Sequence, residues 1–155
     1  MRLTWIGTIV ALGALACGGE KKAEETQAAA MPAGTPAAAP AATGPVVEVK
    51  MTGNGSTIAA FAPATLKIAP GTTVRFVNVS GFPHNVGFWG DSIPAGAATV
   101  LNAAMANRID NLSGPFLTQP NETYDVSFAG APTGTYKGFC LPHLMLGMKI
   151  AITVR

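Results

Sequence analysis

VVEVKMTGNGSTIAAFAPATLKIAPGTTVRFVNV, Val46 to Val79, is a row of short apolar pieces separated by turn residues. Val46 to Met51 is strand-like and runs into Gly53-Asn54-Gly55, a turn signal. Ile58 to Phe61 is brief and is stopped by Pro63. Thr65-Leu66-Lys67-Ile68 alternates before Pro70-Gly71 turns the chain. Thr73 to Val79 sets Val74, Phe76, Val77 and Val79 around Arg75 and Asn78. No sustained helical period runs from Val46 to residue 97. Short strands punctuated in this way predict an all-β sandwich.

The pattern continues downstream. Asn85 to Trp89 is expected as a strand and Asp91 to Gly96 as a turn. Ala97 to Asn107 is rich in alanine and is expected to hold one or two helical turns. Phe116-Leu117 and Thr123 to Phe128 read as strands separated by Pro120-Asn121. Gly134 to Phe139 is the strand that delivers Cys140, and Lys149 to Val154 is the last strand. A domain of about 110 residues buries an adequate core without disulfides.

Upstream the composition changes. Met1 to Ala16 reads as an export signal, with Arg2 at its positive end. Its apolar run, Trp5 to Ala16, is shorter than the ~20 residues a membrane-spanning helix needs. Ala14-Leu15-Ala16 places small residues where an export peptidase reads them, and Cys17-Gly18-Gly19 follows. Small residues and then cysteine resemble a bacterial lipoprotein processing site, which makes Cys17 the expected lipidation position. Residues 17–44 are read as that anchor and a linker rich in alanine and proline. Pro32, Pro36 and Pro40 prevent a long helix there. Random-coil scaling gives such a linker a reach of roughly 30 Å. The domain proper is placed at residues 45–155.

Charge excludes one class of partner. The chain has ten Lys and Arg against eight Asp and Glu, a net charge of +2. So small an excess makes no basic stripe, and no nucleic-acid role is expected. Membrane association is expected only through a lipidated Cys17.

The chemistry is concentrated in Cys140-Leu141-Pro142-His143-Leu144-Met145-Leu146-Gly147-Met148. A trigonal blue-copper site takes two imidazoles, one thiolate and a weak, long thioether contact. This stretch supplies three of those groups. The chain has only two histidines, so the second imidazole is His84. The ligand set then runs His84, Cys140, His143 and Met148 around one copper ion. Soft thiolate and thioether favour Cu(I) while imidazole suits both oxidation states, a combination suited to one-electron transfer. Asn85 is placed to tie the His84 segment to the Cys140 loop by hydrogen bonds that tune the site.

These residues resemble the plastocyanin-like blue copper proteins of the cupredoxin family. The loop reads Cys, two residues, His, four residues, Met, with Pro142 just before His143. Gly81-Phe82-Pro83-His84-Asn85-Val86 resembles the family's first-histidine segment. The likeness extends through Asp91-Ser92-Ile93-Pro94-Ala95-Gly96, Asn121-Glu122-Thr123-Tyr124 and Gly134-Thr135-Tyr136. It implies a Greek-key β-sandwich of the cupredoxin type. By the same resemblance Met148, eight residues after Cys140, takes the axial place, and Met145 points outward. Asn85 and Pro142 are then expected to brace the ligands. The resemblance also implies that Leu141, Leu144, Met145 and Leu146 form an apolar rim. Redox partners, a donor and an acceptor, would dock there and exchange electrons through His143. Plant members carry acidic clusters that steer a basic partner, and this chain has none.

The reading is therefore a one-electron carrier, not an enzyme, working outside the cytoplasm in the periplasm or on an extracytoplasmic membrane face. The alternative is a copper-binding or copper-delivery protein, against which a closed ligand set argues. A catalytic centre would need an open coordination position and a general base, and neither is evident. Met105 is a further thioether, expected to serve packing.

Overall fold

The computed structural model describes residues 44–155. The expected signal at 1–16, Cys17 and the linker as far as residue 43 lie outside them. The strands are β1 (Val46–Gly53), β2 (Ala59–Ala62), β3 (Thr65–Ile68), β4 (Thr73–Asn78), β5 (Gly87–Phe88), β6 (Thr123–Ser127), β7 (Gly134–Phe139) and β8 (Lys149–Val154). One helix, α1 (Ala97–Ala104), stands between β5 and β6. It falls within the stretch where alanine predicts helix, and it buries Ala97 and Leu101. Among the described residues no helix is long and apolar enough to cross a membrane.

Two four-stranded sheets form, ordered β2-β1-β4-β6 and β3-β8-β7-β5. β1 runs parallel to β4, and β3 parallel to β8; the other pairs are antiparallel. The alternation of the strands fixes what faces inward. Val74, Phe76 and Asn78 of β4 and Tyr124 and Val126 of β6 are buried from one sheet. Tyr136 of β7 and Ile150, Ile152 and Val154 of β8 meet them from the other. Phe128 joins the layers, edge-on to Tyr136 at 5.2 Å between ring centres and to Phe88 at 6.3 Å. Met105 is buried in the same core.

The period of two does not stop where the ladder stops. Along β7 the inward set runs Tyr136, Gly138 and then Cys140; along β8 it begins at Met148 and runs through Ile150. The Cys140 N–H donates to the Met148 carbonyl at 3.1 Å, which carries the β7–β8 pairing one step beyond Phe139 and Lys149. Thiol and thioether residues are thus buried for the same reason as the strand residues beside them. Gly138 is required at this point, because a Cβ there would lie 2.8 Å from the Gly87 carbonyl oxygen.

Two expected strands come out differently. Asn85 to Trp89 reduces to the short β5, and Phe116-Leu117 is no strand but a single bridge, in which Leu117 pairs with His84. The backbone of the segment is pinned by the loop from 112 to 117 in place of a regular ladder. Phe88 N–H donates to Leu112, Gly114 N–H to Val86, and His84 and Leu117 exchange both bonds.

Candidate metal centre

The loop from Cys140 to Met148 locks itself. His143 N–H donates to the Cys140 carbonyl at 3.2 Å, and Met148 N–H to the His143 carbonyl at 3.2 Å. Leu144–Leu146 forms a single 3-10 turn, and Gly147 follows at φ 78°, a left-handed conformation glycine adopts without strain. That reversal returns the chain to β8. Cys140 and Met148 are buried, as is His143 at 5% exposure.

His84 arrives from the other side of the site and is fully buried. Its Nδ1 lies 3.6 Å from Cys140 Sγ, and His143 Nδ1 lies 3.6 Å from the same sulfur. The two imidazole centres are 4.6 Å apart, and the three donor atoms all fall within 4.8 Å of one another. These separations fit an ion held between them. With metal–nitrogen distances of about 2.05 Å and a metal–sulfur distance of about 2.3 Å, a nitrogen and the sulfur about 110–120° apart sit roughly 3.6–3.8 Å from each other. Among the described residues neither a disulfide nor a carboxylate competes for this thiol, since Cys140 is free and the cluster contains no acidic residue.

A chain of hydrogen bonds behind His84 fixes its tautomer. The Asn78 side-chain NH2 donates to two carbonyls, Phe82 at 2.8 Å and Leu117 at 2.9 Å. Its Oδ1 is therefore the accepting end, and takes the Gly81 N–H at 3.0 Å. Ser80 Oγ lies 3.3 Å from that oxygen, so its single proton points there. The Ser80 oxygen is left to accept from His84 Nε2–H, 2.9 Å away. With its proton held on Nε2, His84 presents the Nδ1 lone pair towards Cys140 and His143.

Asn85 fastens the two halves of the site. Its Oδ1 accepts from the Leu141 N–H at 2.8 Å, across the sequence gap between the ligand segments. Its NH2 donates to Ser113 Oγ at 3.2 Å and the Gly114 carbonyl at 3.3 Å. Burial sets the protonation states. It lowers His84 to about 4, with a smaller push from neighbouring His143, and lowers His143 as well. It raises the Cys140 thiol, against the pull of the Asn85 and His143 N–H groups. Both imidazoles are thus neutral and ready as ligands at pH 7, whereas the thiol must give up a proton to a metal.

The residues singled out in the sequence sort clearly. His84, Cys140 and His143 converge. Met148 is buried where the loop rejoins β8, its backbone bonded to both Cys140 and His143. Pro142 is exposed on the loop. Met145 is 95% exposed, with Leu141 and Leu146 exposed and Leu144 half-buried around it. Sequence reasoning missed Asn78, Ser80 and Ser113. Asn78 carried a signal, as a polar residue at an inward position of β4 in step with Val74 and Phe76; a buried amide implies a hydrogen-bonding task.

Residues 47–155 match the family described as copper binding proteins, plastocyanin/azurin family. The chain is 41% identical over 109 residues to the plastocyanin of Scenedesmus fuscus, covering 70% of this chain and 99% of that one. It is 41% identical over 106 residues to the chloroplastic plastocyanin of Physcomitrium patens, covering 68% of this chain. It spans only about half of that relative's length, 56%. Among solved structures, the oxidized form of plastocyanin from Dryopteris crassirhizoma superposes with a TM-score of 0.53 at 28% identity, over 70% of this chain and 100% of that one.

Proposed function

The chain belongs to the plastocyanin/azurin family of copper-binding proteins, and from that premise we propose that it is a one-electron carrier and not an enzyme. Its cofactor is one copper ion. The observation that carries the reading is the buried triangle of His84 Nδ1, Cys140 Sγ and His143 Nδ1, with sulfur 3.6 Å from each nitrogen. Met148, buried at the end of the same locked loop, would add its thioether as a fourth ligand. Bound copper supplies the Cu(II)/Cu(I) couple. The protein holds its ligands in one arrangement: His84 through Ser80, the Cys140 loop through Asn85, and the loop itself through its own backbone. A frame that already fits the ion moves little when the charge changes, which favours transfer of electrons over release of the metal.

Redox partners, a donor and an acceptor, dock at the apolar rim of Leu141, Leu144, Met145 and Leu146, on the loop that carries His143. An exposed apolar patch of this kind marks an interaction site. The protein works outside the cytoplasm, exported through Met1 to Ala16 and lipid-anchored at Cys17; intact mass of the mature N-terminus tests both points. The central test is a Cu(II) titration of the full chain by visible absorption and EPR, beside Cys140→Ser. An intense blue band with narrow copper hyperfine splitting, lost in the variant, is expected. A colourless protein, or an ordinary tetragonal copper spectrum, overturns the electron-carrier reading.

A further inference from the structure

The loop that joins β7 to β8 carries its most accessible side chain at its tip. Met145 is 95% exposed, in the middle of the 3-10 turn Leu144–Leu146. The backbone is fastened on either side of it. Leu146 N–H donates to the His143 carbonyl at 3.0 Å, and Gly147 N–H to the Leu144 carbonyl at 3.0 Å. These bonds hold Met145 at the tip, and the core takes no packing from it. Exposed Leu141 and Leu146 and half-buried Leu144 flank it on the same loop.

Every other sulfur among the described residues is shielded. Met51, Met105 and Met148 are 3% exposed or less, and Cys140 is fully buried. A peroxide must reach a sulfur lone pair to oxidise it, so burial protects those four atoms and leaves the Met145 thioether open. Methionine serves an apolar contact well, because its side chain is flexible and its sulfur polarizable. Its sulfoxide is polar and chiral, and the new oxygen calls for a hydrogen-bond donor that an apolar rim does not supply.

We propose that Met145 is a modification site for hydrogen peroxide, and that its sulfoxide switches off the apolar rim. The sulfur lone pair attacks one peroxide oxygen. A sulfur–oxygen bond forms, the oxygen–oxygen bond breaks and, after one proton moves, the second oxygen leaves as water. Sulfur loses two electrons and peroxide gains them, so one equivalent suffices. The ligand triangle takes no part and keeps its arrangement, since the turn that carries Met145 is held by backbone bonds that the oxidation leaves intact. The change reverses when a methionine sulfoxide reductase passes two electrons from a dithiol, which becomes a disulfide as the oxygen leaves as water. That the switched surface serves redox partners rests on the electron-carrier reading; the modification itself does not. A carrier so built disengages from its partners whenever peroxide accumulates.

The test treats the full chain, copper-free and Cu(II)-loaded, with hydrogen peroxide in small molar excess. Fragmentation of the tryptic peptide from Gly138 to Lys149, which holds Cys140, Met145 and Met148, places the added oxygen. It is expected on Met145 about 10-fold or more faster than on Met51, Met105 or Met148. Retention of the copper-free protein on a phenyl matrix should fall after oxidation and recover with methionine sulfoxide reductase and dithiothreitol. In Met145→Leu, peroxide should leave retention where that variant started. Oxygen arriving first on Met148 or Cys140, unchanged retention once Met145 is oxidised, or an equal peroxide-induced loss in Met145→Leu would each overturn the proposal. Electron self-exchange between Cu(I) and Cu(II) copies, read from NMR line broadening, separates the surface switch from the electron-carrier reading. Slowing by about 10-fold in the sulfoxide protein supports both. Unchanged exchange beside lowered retention upholds the switched surface and overturns the rim as the place where electrons pass.

Discussion

Ser80→Ala removes one oxygen and tests the chain of bonds behind His84. In the native protein the buried His84 Nε2–H has one acceptor, Ser80 Oγ at 2.9 Å. Alanine leaves that N–H unpaired in the interior, at a cost of about 1–3 kcal/mol. Over a domain of this size that lowers Tm by roughly 4–12 °C. A second effect concerns the metal. Without its acceptor the proton on Nε2 is no longer favoured over Nδ1, and the imidazole is free to tilt. Loss of such a supporting bond typically weakens metal binding by about 10–100-fold, or about 1.4–2.7 kcal/mol. The assay is chemical denaturation of the copper-free protein together with chelator competition for copper affinity. Ser80→Thr keeps the hydroxyl and should restore most of both quantities. A Ser80→Ala protein with stability within about 0.5 kcal/mol and affinity within about twofold of native would refute the reasoning.

Four further outcomes are expected. Asn85→Ala breaks the bond to Leu141 and strands Ser113 and the Gly114 carbonyl, so denaturant titration should show a loss of about 2–4 kcal/mol. Thr73→Val should be neutral or stabilising by up to about 1 kcal/mol in the same assay, because the buried Thr73 hydroxyl has no partner among the described residues. Copper binding at pH 7 should release about one proton per ion, the one on Cys140, since burial keeps both imidazoles neutral and the thiol protonated. Release should rise as pH approaches about 4 and His84 takes up a proton; calorimetry in buffers of different ionisation enthalpy reads the count. Tyr124 is pushed up to about 12 by burial, above its unfolded value of 10, and donates to the Ala106 carbonyl at 2.8 Å. Its contribution is whole below pH 10 and is lost as pH climbs towards 12, so Tyr124→Phe should flatten the alkaline limb of the stability profile.

What could be read from the sequence was what local pattern carries. The alternation in β7 and β8 was visible as residues, and it is the same alternation that buries Cys140 and Met148. Residue type and spacing brought out His84, Cys140 and His143. Ser80, Asn78 and Ser113 did not stand out, because their roles depend on partners brought close only by the fold, such as Leu117 for Asn78 and Asn85 for Ser113. The loop preceding β6 was opaque for the same reason. Leu112 and Asn107 adopt φ of 55° and 49°, conformations that non-glycine residues seldom take. Asn102 holds that loop by accepting from the Leu112 N–H at 2.8 Å and from Arg108 at 2.6 Å. No local rule announces such a brace.

The position of the ligands along the chain also sets when the site can exist. Cys140, His143 and Met148 belong to the final stretch, and β8 behind them lies parallel to β3, pairing Thr65 with Ala151. Neither the second sheet nor the ligand triangle can close until β8 has been made and has found β3. Pairings between such distant segments are slow to form. Copper capture by the assembled triangle therefore waits on the pairing of β3 with β8.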